Sequence, residues 1–179
     1  MDFGVHLMEI RGVKFSDFKS ILDIYDQGYG ELKENPDFGD YFRLTKPDAK
    51  RKASWSKSEY EKVRRGDSVF IVAEEGKKII GFCFVTKKDI PDSEMSHVGV
   101  LAIRVAKDWR GKGTGTKLLE YTLNKCRGKF EMVEIFPFKN NLKAKRLYRK
   151  FGFRTWGIAP DYIKRGKKYM DLEYMYLKL

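Results

Sequence analysis

The stretch from His97 to Cys126 constrains this chain more than any other. A near-continuous apolar run, His97 to Val105, leads through a few residues into Arg110-Gly111-Lys112-Gly113-Thr114-Gly115. Gly115, Leu118, Leu119, Thr122, Leu123 and Cys126 then recur at the spacing of one helical face. A strand of that composition is the kind buried on both faces, so layers must cover both sides of its sheet. A helix opening directly after glycines aims unpaired backbone amides and the positive end of its dipole at one point. That point is an anion site, with Arg110 and Lys112 expected to add charge.

The flanking sequence predicts a mixed α/β fold. Met8 to Val13 reads as a first strand, and Phe18, Ile21, Leu22 and Tyr25 mark a helix capped by Ser16 or Asp17. Gly28 to Ser54, with Asn35-Pro36-Asp37 and Lys46-Pro47-Asp48, reads as a long connection carrying one short helix. Ser56-Lys57-Ser58-Glu59 has the form of a capping box, stapled by Trp55 and Tyr60, for a helix ending at Gly66. Val69 to Glu74 and Ile79 to Thr86, joined by Glu75-Gly76-Lys77, form a hairpin pattern. Met132 to Phe136 reads as a strand, and Ala144, Leu147, Tyr148 and Phe151 as a helix face closed by Gly152. A strand over Phe153 to Ile158, a polar loop to Lys168 and a strand from Met170 to Leu179 complete the pattern. The expected architecture is one domain over 1–179, with residues 1–7 a frayed extension and a mixed sheet of six to seven strands between helices.

Three phosphate-binding loops compete for the glycines. The ATP type requires Gly-Lys-Ser/Thr, whereas the order here is Gly115-Thr116-Lys117, which misplaces both lysine and hydroxyl. The dinucleotide type requires a glycine where Thr116 stands, and it follows the first strand of a parallel unit rather than a hairpin. The third type matches. Arg110-x-x-Gly113-x-Gly115 resembles the Arg/Gln-x-x-Gly-x-Gly/Ala motif of the GCN5-related N-acetyltransferase (GNAT) superfamily. Asn141-x-x-Ala144-x-x-Leu147-Tyr148-x-x-x-Gly152-Phe153 resembles that family's second hallmark, and Gly166-x-x-Tyr169-x-Asp171-x-x-x-Met175 resembles the ending of its small-amine and protein N-terminus branches.

The resemblance implies an acetyl-CoA-dependent transferase that acylates a primary amine directly: a protein or peptide N-terminus, a lysine or a small amine. It implies that amides of Gly111, Lys112, Gly113, Thr114, Gly115 and Thr116 hold the coenzyme pyrophosphate with Arg110. It further implies a sheet splayed at Ile103, Arg104 and Val105, whose N–H groups polarise the thioester carbonyl. Asn141 is expected at the same cofactor site, and Tyr148 as the acid facing the leaving sulfur. His97, at the head of the coenzyme strand, is the candidate base by intrinsic pKa. Relatives with a glutamate five residues before the motif asparagine differ from this chain, which has Phe136 there; Glu134, Glu94, Glu31 and Asp171 are further candidates. No metal-ligand cluster is visible, and none is needed for direct attack by an amine.

Charge supports the same reading. Of the formal +12, almost all resides between residues 104 and 150, where 14 Lys+Arg face 4 Asp+Glu. Such a segment attracts a polyanion. Coenzyme A fits; the alternatives are an RNA surface with Phe136, Phe138 and Tyr148 as stacking groups, or a catalytically silent acyl-CoA sensor. No apolar run approaches a membrane span, and Asp2 and Glu9 interrupt the start, so the expected location is the cytoplasm, with a second copy of the chain, as a homodimer, a candidate partner. Cys83 and Cys126 read as small buried hydrophobes. Gly28 to Ser54 and Ala159 to Lys168 are expected to wall the acceptor site.

Overall fold

A computed structural model describes residues 8–35, 46–88 and 94–179. The expectations for residues 1–7 and for Pro36-Asp37 lie outside the described residues. The remaining chain builds one seven-stranded sheet in the order β1-β2-β3-β4-β5-β7-β6. These strands are β1 (Glu9–Gly12), β2 (Ser68–Glu75), β3 (Lys78–Lys87), β4 (Val98–Val105), β5 (Met132–Ile135), β6 (Arg154–Arg165) and β7 (Lys168–Lys178). Every neighbouring pair is antiparallel except β4 and β5. Helices α1 (Phe18–Glu34) and α2 (Ala49–Arg65) cover one face, and α3 (Thr114–Cys126) packs on the other. α4 (Leu142–Lys150) belongs to the α3 side, where Tyr148 joins Leu118, Leu119, Val133 and Met175 in the larger core.

The β2–β3 hairpin follows the sequence pattern closely. Its two-residue turn places Gly76 at φ +54° and Lys77 at φ +67°, the handedness that matches strand twist. Cys83 and Cys126 are buried in the α3-side core, and burial pushes both thiols up to about 12. At Gly99 on β4, a Cβ would collide with Val85 and approach Phe130 Cδ1 at 3.1 Å. Gly99→Ala is therefore expected to lower stability by about 1–3 kcal/mol through overpacking, read from the urea midpoint at constant slope.

Three expectations need correction. α1 does not stop near Gly28; it continues to Glu34, and its buried face runs Ile21, Ile24, Gly28, Tyr29. The helical period persists through Gly28 because a glycine there faces the packed side. α2 starts seven residues before the apparent capping box. Asp48 is the true cap, accepting the Arg51 amide at 2.8 Å, while Ser56 sits mid-helix and donates to the Lys52 carbonyl at 2.9 Å. Trp55 and Tyr60 are not a staple; both set their rings edge-on to Phe18. Finally, Ala159 to Lys168 is no loop. β6 extends to Arg165 across an irregular stretch between Ala159 and Ile163, with Asp161 at φ +53°. Pro160 suggests a loop, but β6 is the sheet edge, where a missing N–H costs no ladder bond.

β4 also departs from uniform burial. Val98, Gly99 and Leu101 are buried, whereas Ala102 to Val105 are half-buried. The cause is the opening of the sheet beyond Val100, where β4 loses β5 as a partner.

Candidate active site

Side chains alternate along β4. Leu101, Ile103 and Val105 pack into the core shared with α3, so Ala102 and Arg104 project to the α1/α2 side. β4 keeps β3 as its partner from Gly99 to Val105, yet pairs with β5 only at Val98, Gly99 and Val100. Beyond Val100 the two parallel strands diverge. Ala106 donates its amide to the Ile80 carbonyl, 2.8 Å away on β3, so even-numbered residues bond toward β3. By alternation, the N–H groups of Ile103 and Val105 point into the fork between β4 and β5. The sheet therefore opens beside Ile103 and Val105.

Past β4 the chain makes a 3₁₀ turn over Lys107–Trp109 and enters the glycine loop. Gly111 has φ +76° and Gly113 φ +84°, and at neither would a Cβ meet an atom within 4 Å. Backbone handedness, not crowding, is what requires glycine there. Gly113 is the N-cap of α3 and supplies no side-chain cap. The amides of Thr114, Gly115 and Thr116 have no intrahelical acceptor; Lys117 is the first to close the helix, on the Gly113 carbonyl at 3.1 Å. Lys112 lies over the Trp109 ring, 4.9 Å from its centroid. Arg110 behaves differently from its expected role as a charge aimed at the anion. Its guanidinium forms a two-pronged pair with Glu31 of α1, at 2.6 and 2.9 Å, and Nε donates to the Val105 carbonyl at 2.9 Å. It ties the loop to the end of β4 and to α1.

The second motif stands beside the first. A Cβ at Gly115 would lie 3.5 Å from Leu147 Cδ2, so α4 borders the start of α3. Asn141 caps α4 by accepting the Ala144 amide at 3.1 Å. At the other end Phe153 N–H donates to Tyr148 and Gly152 N–H to Arg149, with Gly152 at φ +90°. That is a Schellman ending, sealed by the Tyr148 and Phe153 rings 5.8 Å apart. Tyr148 is 5 % exposed, held by this packing.

An ion cluster that the sequence reading missed fixes α4 to β7. Glu173, buried on β7, accepts from Lys145 at 2.7 Å, from Arg149 at 3.0 Å and from the Thr155 hydroxyl. Residues 28 positions apart carry no local signal of this contact. Burial pushes the Glu173 carboxyl upward, but the Lys145 and Thr155 hydrogen bonds and the two cations outweigh it and hold it below the ordinary range. A depressed folded-state pKa gives stability that is complete above the unfolded value, near 4.3, and lost as pH falls through the folded one. Wild type is thus expected to lose stability below about pH 4 more steeply than Glu173→Gln, in urea titrations at stepped pH.

The base candidates scatter. His97 immediately precedes β4 at its opposite end, roughly 25 Å along the strand from Val105, and its Nδ1 is 3.0 Å from the Glu94 carbonyl. Neither His97 nor Glu94 reaches the fork. Glu31 is engaged by Arg110, and Asp171 by Lys139 at 2.9 Å and the Asp161 amide at 3.0 Å. Glu134 is the carboxylate in register with Val100, where β4 and β5 part; it is buried and ion-paired with Lys88 at 2.8 Å. On the α1/α2 side a cavity of about 700 Å³ lies between α1, α2 and β4, lined in part by Tyr25, Asp26, Trp55, Glu59 and Arg104.

The acetyltransferase (GNAT) domain profile matches residues 66–155, half of the chain and the segment from β2 to the start of β6. The chain belongs to the GNAT family. Among relatives of this GNAT chain, L-amino acid N-acetyltransferase AaaT of Escherichia coli K12 is 29 % identical over 82 residues, covering 45 % of this chain and 51 % of AaaT. The chain thus matches about half the length of that relative. The L-methionine sulfoximine/L-methionine sulfone acetyltransferase of Pseudomonas paraeruginosa is 22 % identical over 95 % of this chain and 94 % of its own. Among solved structures, the ribosomal-protein-alanine N-acetyltransferase of Brucella melitensis superposes with a TM-score of 0.82 at 23 % identity, covering 96 % of this chain and 99 % of its own. The Sinorhizobium meliloti phosphinothricin acetyltransferase, in complex with acetyl-CoA, gives 0.81 at 18 % identity, over 96 % and 88 %. These likenesses establish the GNAT fold. Among the described residues of this GNAT domain, no helix is long and apolar enough to cross a membrane.

Proposed function

We propose that this protein is an acetyl-CoA-dependent N-acetyltransferase that passes the acetyl group directly to a primary amine. The observation that carries the reading is the joining of two features at one end of β4: a glycine loop with an open helix N-terminus, and a fork whose edge presents the Ile103 and Val105 amides. Acetyl-CoA as donor is supported by the fit of a pyrophosphate to the Gly111–Thr116 backbone, which has the positive-φ glycines and uncapped amides such an anion needs. Acetylation of small amines is supported by the AaaT and methionine sulfoximine relatives, whose names place them on amino acids.

In this reading each residue has a defined task. Amides of Thr114, Gly115 and Thr116 bind the pyrophosphate, with Lys112 adding charge at the loop surface. Arg110 keeps the loop in position through Glu31 and Val105. The Ile103 and Val105 amides hold the thioester oxygen and stabilise the charge that grows there during attack. Tyr148 donates to the departing sulfur; a phenol of pKa about 10 facing a thiolate of about 8.5 gives a hydrogen bond with late proton transfer. Asn141 fixes the start of α4 and so the placement of Tyr148. Holding a lysine-like amine neutral at pH 7 accounts for roughly 4 kcal/mol, because only about one part in 10³ is unprotonated. Glu134, at the root of the fork, is the carboxylate best placed to receive that proton through water.

The test is calorimetric titration with acetyl-CoA followed by incubation with labelled acetyl-CoA and a panel of amines. Saturable one-site binding and an acetylated amine are expected. Salt-sensitive binding of RNA with no binding of acetyl-CoA would overturn the reading in favour of a nucleic-acid surface.

A further inference from the structure

Helices α1 and α2 cover only part of their face of the sheet. The core beneath them takes its strand residues from β2 and β3 and, among the described residues, none from β5, β6 or β7. Val133 and Ile135 of β5 and Met175 and Leu177 of β7 point into the α3-side core, so by alternation Glu134, Phe136, Tyr174 and Tyr176 stand on the opposite face. The pairing of Glu134 with Tyr176 agrees. In the order β4-β5-β7-β6 this face runs from the fork outward to the sheet edge.

Aromatic rings gather on it. Around Tyr174 lie Phe136 at 4.8 Å and 60°, Trp156 at 5.7 Å and 86°, and Tyr162 at 6.4 Å and 88°. Phe136 and Tyr174 are half-buried, while Trp156 is 62 % and Tyr162 61 % exposed. Rings left this open on a sheet face forgo the gain of burial, and together they mark a contact surface. The group begins at the fork. Phe136 follows Glu134 by two residues, roughly 7 Å along the chain, on the side where β5 parts from β4. Burial and a hydrogen bond with Tyr162 raise the Tyr174 phenol above its ordinary value, and the nearby charge of Glu134 adds to the rise. An amine attacking beside Glu134 therefore has the rest of its molecule over neutral rings.

The surface selects its occupant. A charged or heavily hydroxylated body would exchange water for ring faces that return few hydrogen bonds. An alkyl body gains from burial alone, whereas a ring also adds an edge-to-face or offset pair.

We infer that the acceptor is a primary amine carried on a short linker by an aromatic ring, with the amine at Glu134 and the fork and the ring bound by Phe136, Trp156, Tyr162 and Tyr174. The inference rests on the transferase reading above and narrows it.

The experiment compares phenethylamine, cyclohexylethylamine and butylamine, which carry no second charged group, in labelled acetyl transfer. Wild type is expected to use phenethylamine about 30-fold better than butylamine in kcat/KM and about 5-fold better than the cyclohexyl amine, mainly through KM. Trp156→Ala and Tyr162→Ala, which remove exposed rings, are each expected to cut the phenethylamine-to-butylamine ratio to about 5-fold or less. Equal use of the three amines by wild type overturns the inference, as does a ratio unchanged in both variants; the wild-type comparison decides even where a variant fails to fold. Sedimentation of wild type as a dimer that Trp156→Ala disperses would also overturn it, by placing a second copy over the rings. Butylamine acetylated as well as phenethylamine leaves the transferase reading intact. A protein that neither binds acetyl-CoA nor acetylates any amine instead removes that reading, and this inference with it.

Discussion

Gly113→Glu is expected to lower acetyl-CoA affinity by more than about 100-fold while leaving the protein folded. The position has φ +84°, a conformation costing an L-residue roughly 1–2 kcal/mol, and a Cβ there meets no neighbour within 4 Å. The fold therefore has room to accept the side chain at modest cost. The binding site does not. If the loop keeps its conformation, a carboxylate stands beside the amides of Thr114 and Gly115 and repels the phosphates they would bind. If the loop relaxes to relieve the φ, those amides no longer converge. Either route removes at least two charge-assisted hydrogen bonds, each worth about 1.5–3 kcal/mol. Gly113→Ala separates the contributions by carrying the strain without the charge. Calorimetric titration beside a thermal melt reads both quantities. Undiminished affinity in Gly113→Glu would mean that the coenzyme does not use this helix terminus.

Tyr148→Phe is expected to lower kcat about 100-fold with only a few-fold change in KM for acetyl-CoA. The ring is 5 % exposed and packed on Phe153, so removing one oxygen leaves the hydrophobic contacts of α4 in place. Stability should change by about 1 kcal/mol or less. A general acid contributes roughly 10²–10⁴, and water reaching the sulfur replaces part of that. The rate loss should shrink for thioesters with a more acidic leaving thiol, because such a thiolate needs less help. An unchanged kcat accompanied by a large loss of stability would make Tyr148 a core residue only.

The parts legible in the sequence were those whose signal is local. Gly111 and Gly113 announce positive φ, Asn141 and Gly152 announce the two ends of α4, and Gly76-Lys77 announces a hairpin turn. The errors arose where tertiary packing overrides local signals. Gly28 reads as the start of a connection yet lies on the packed face of α1 between Ile24 and Tyr29. Ser56 and Glu59 look like a capping box because α2 buries polar residues, and a polar face hides the apolar period. Pro160 looks like a loop because edge position is a property of the sheet and not of the segment. The glycine loop is one contiguous motif, whereas the cavity draws Tyr25, Trp55 and Arg104 from three elements, and Arg110 finds Glu31 across 79 positions. His97 is the converse: its side chain suits a base, but it precedes β4 at the end away from the fork.

Direct transfer from acetyl-CoA to an amine at the fork of β4 and β5 has a kinetic signature. Initial rates measured while varying both substrates, with free CoA thiol and acetylated amine quantified in the same samples, test it most directly. Direct transfer predicts intersecting reciprocal plots, one CoA released per amide formed, and no acetyl group left on the protein after the amine is omitted. Parallel plots with a stable acetyl-protein adduct, or release of acetate without any amide, would contradict it.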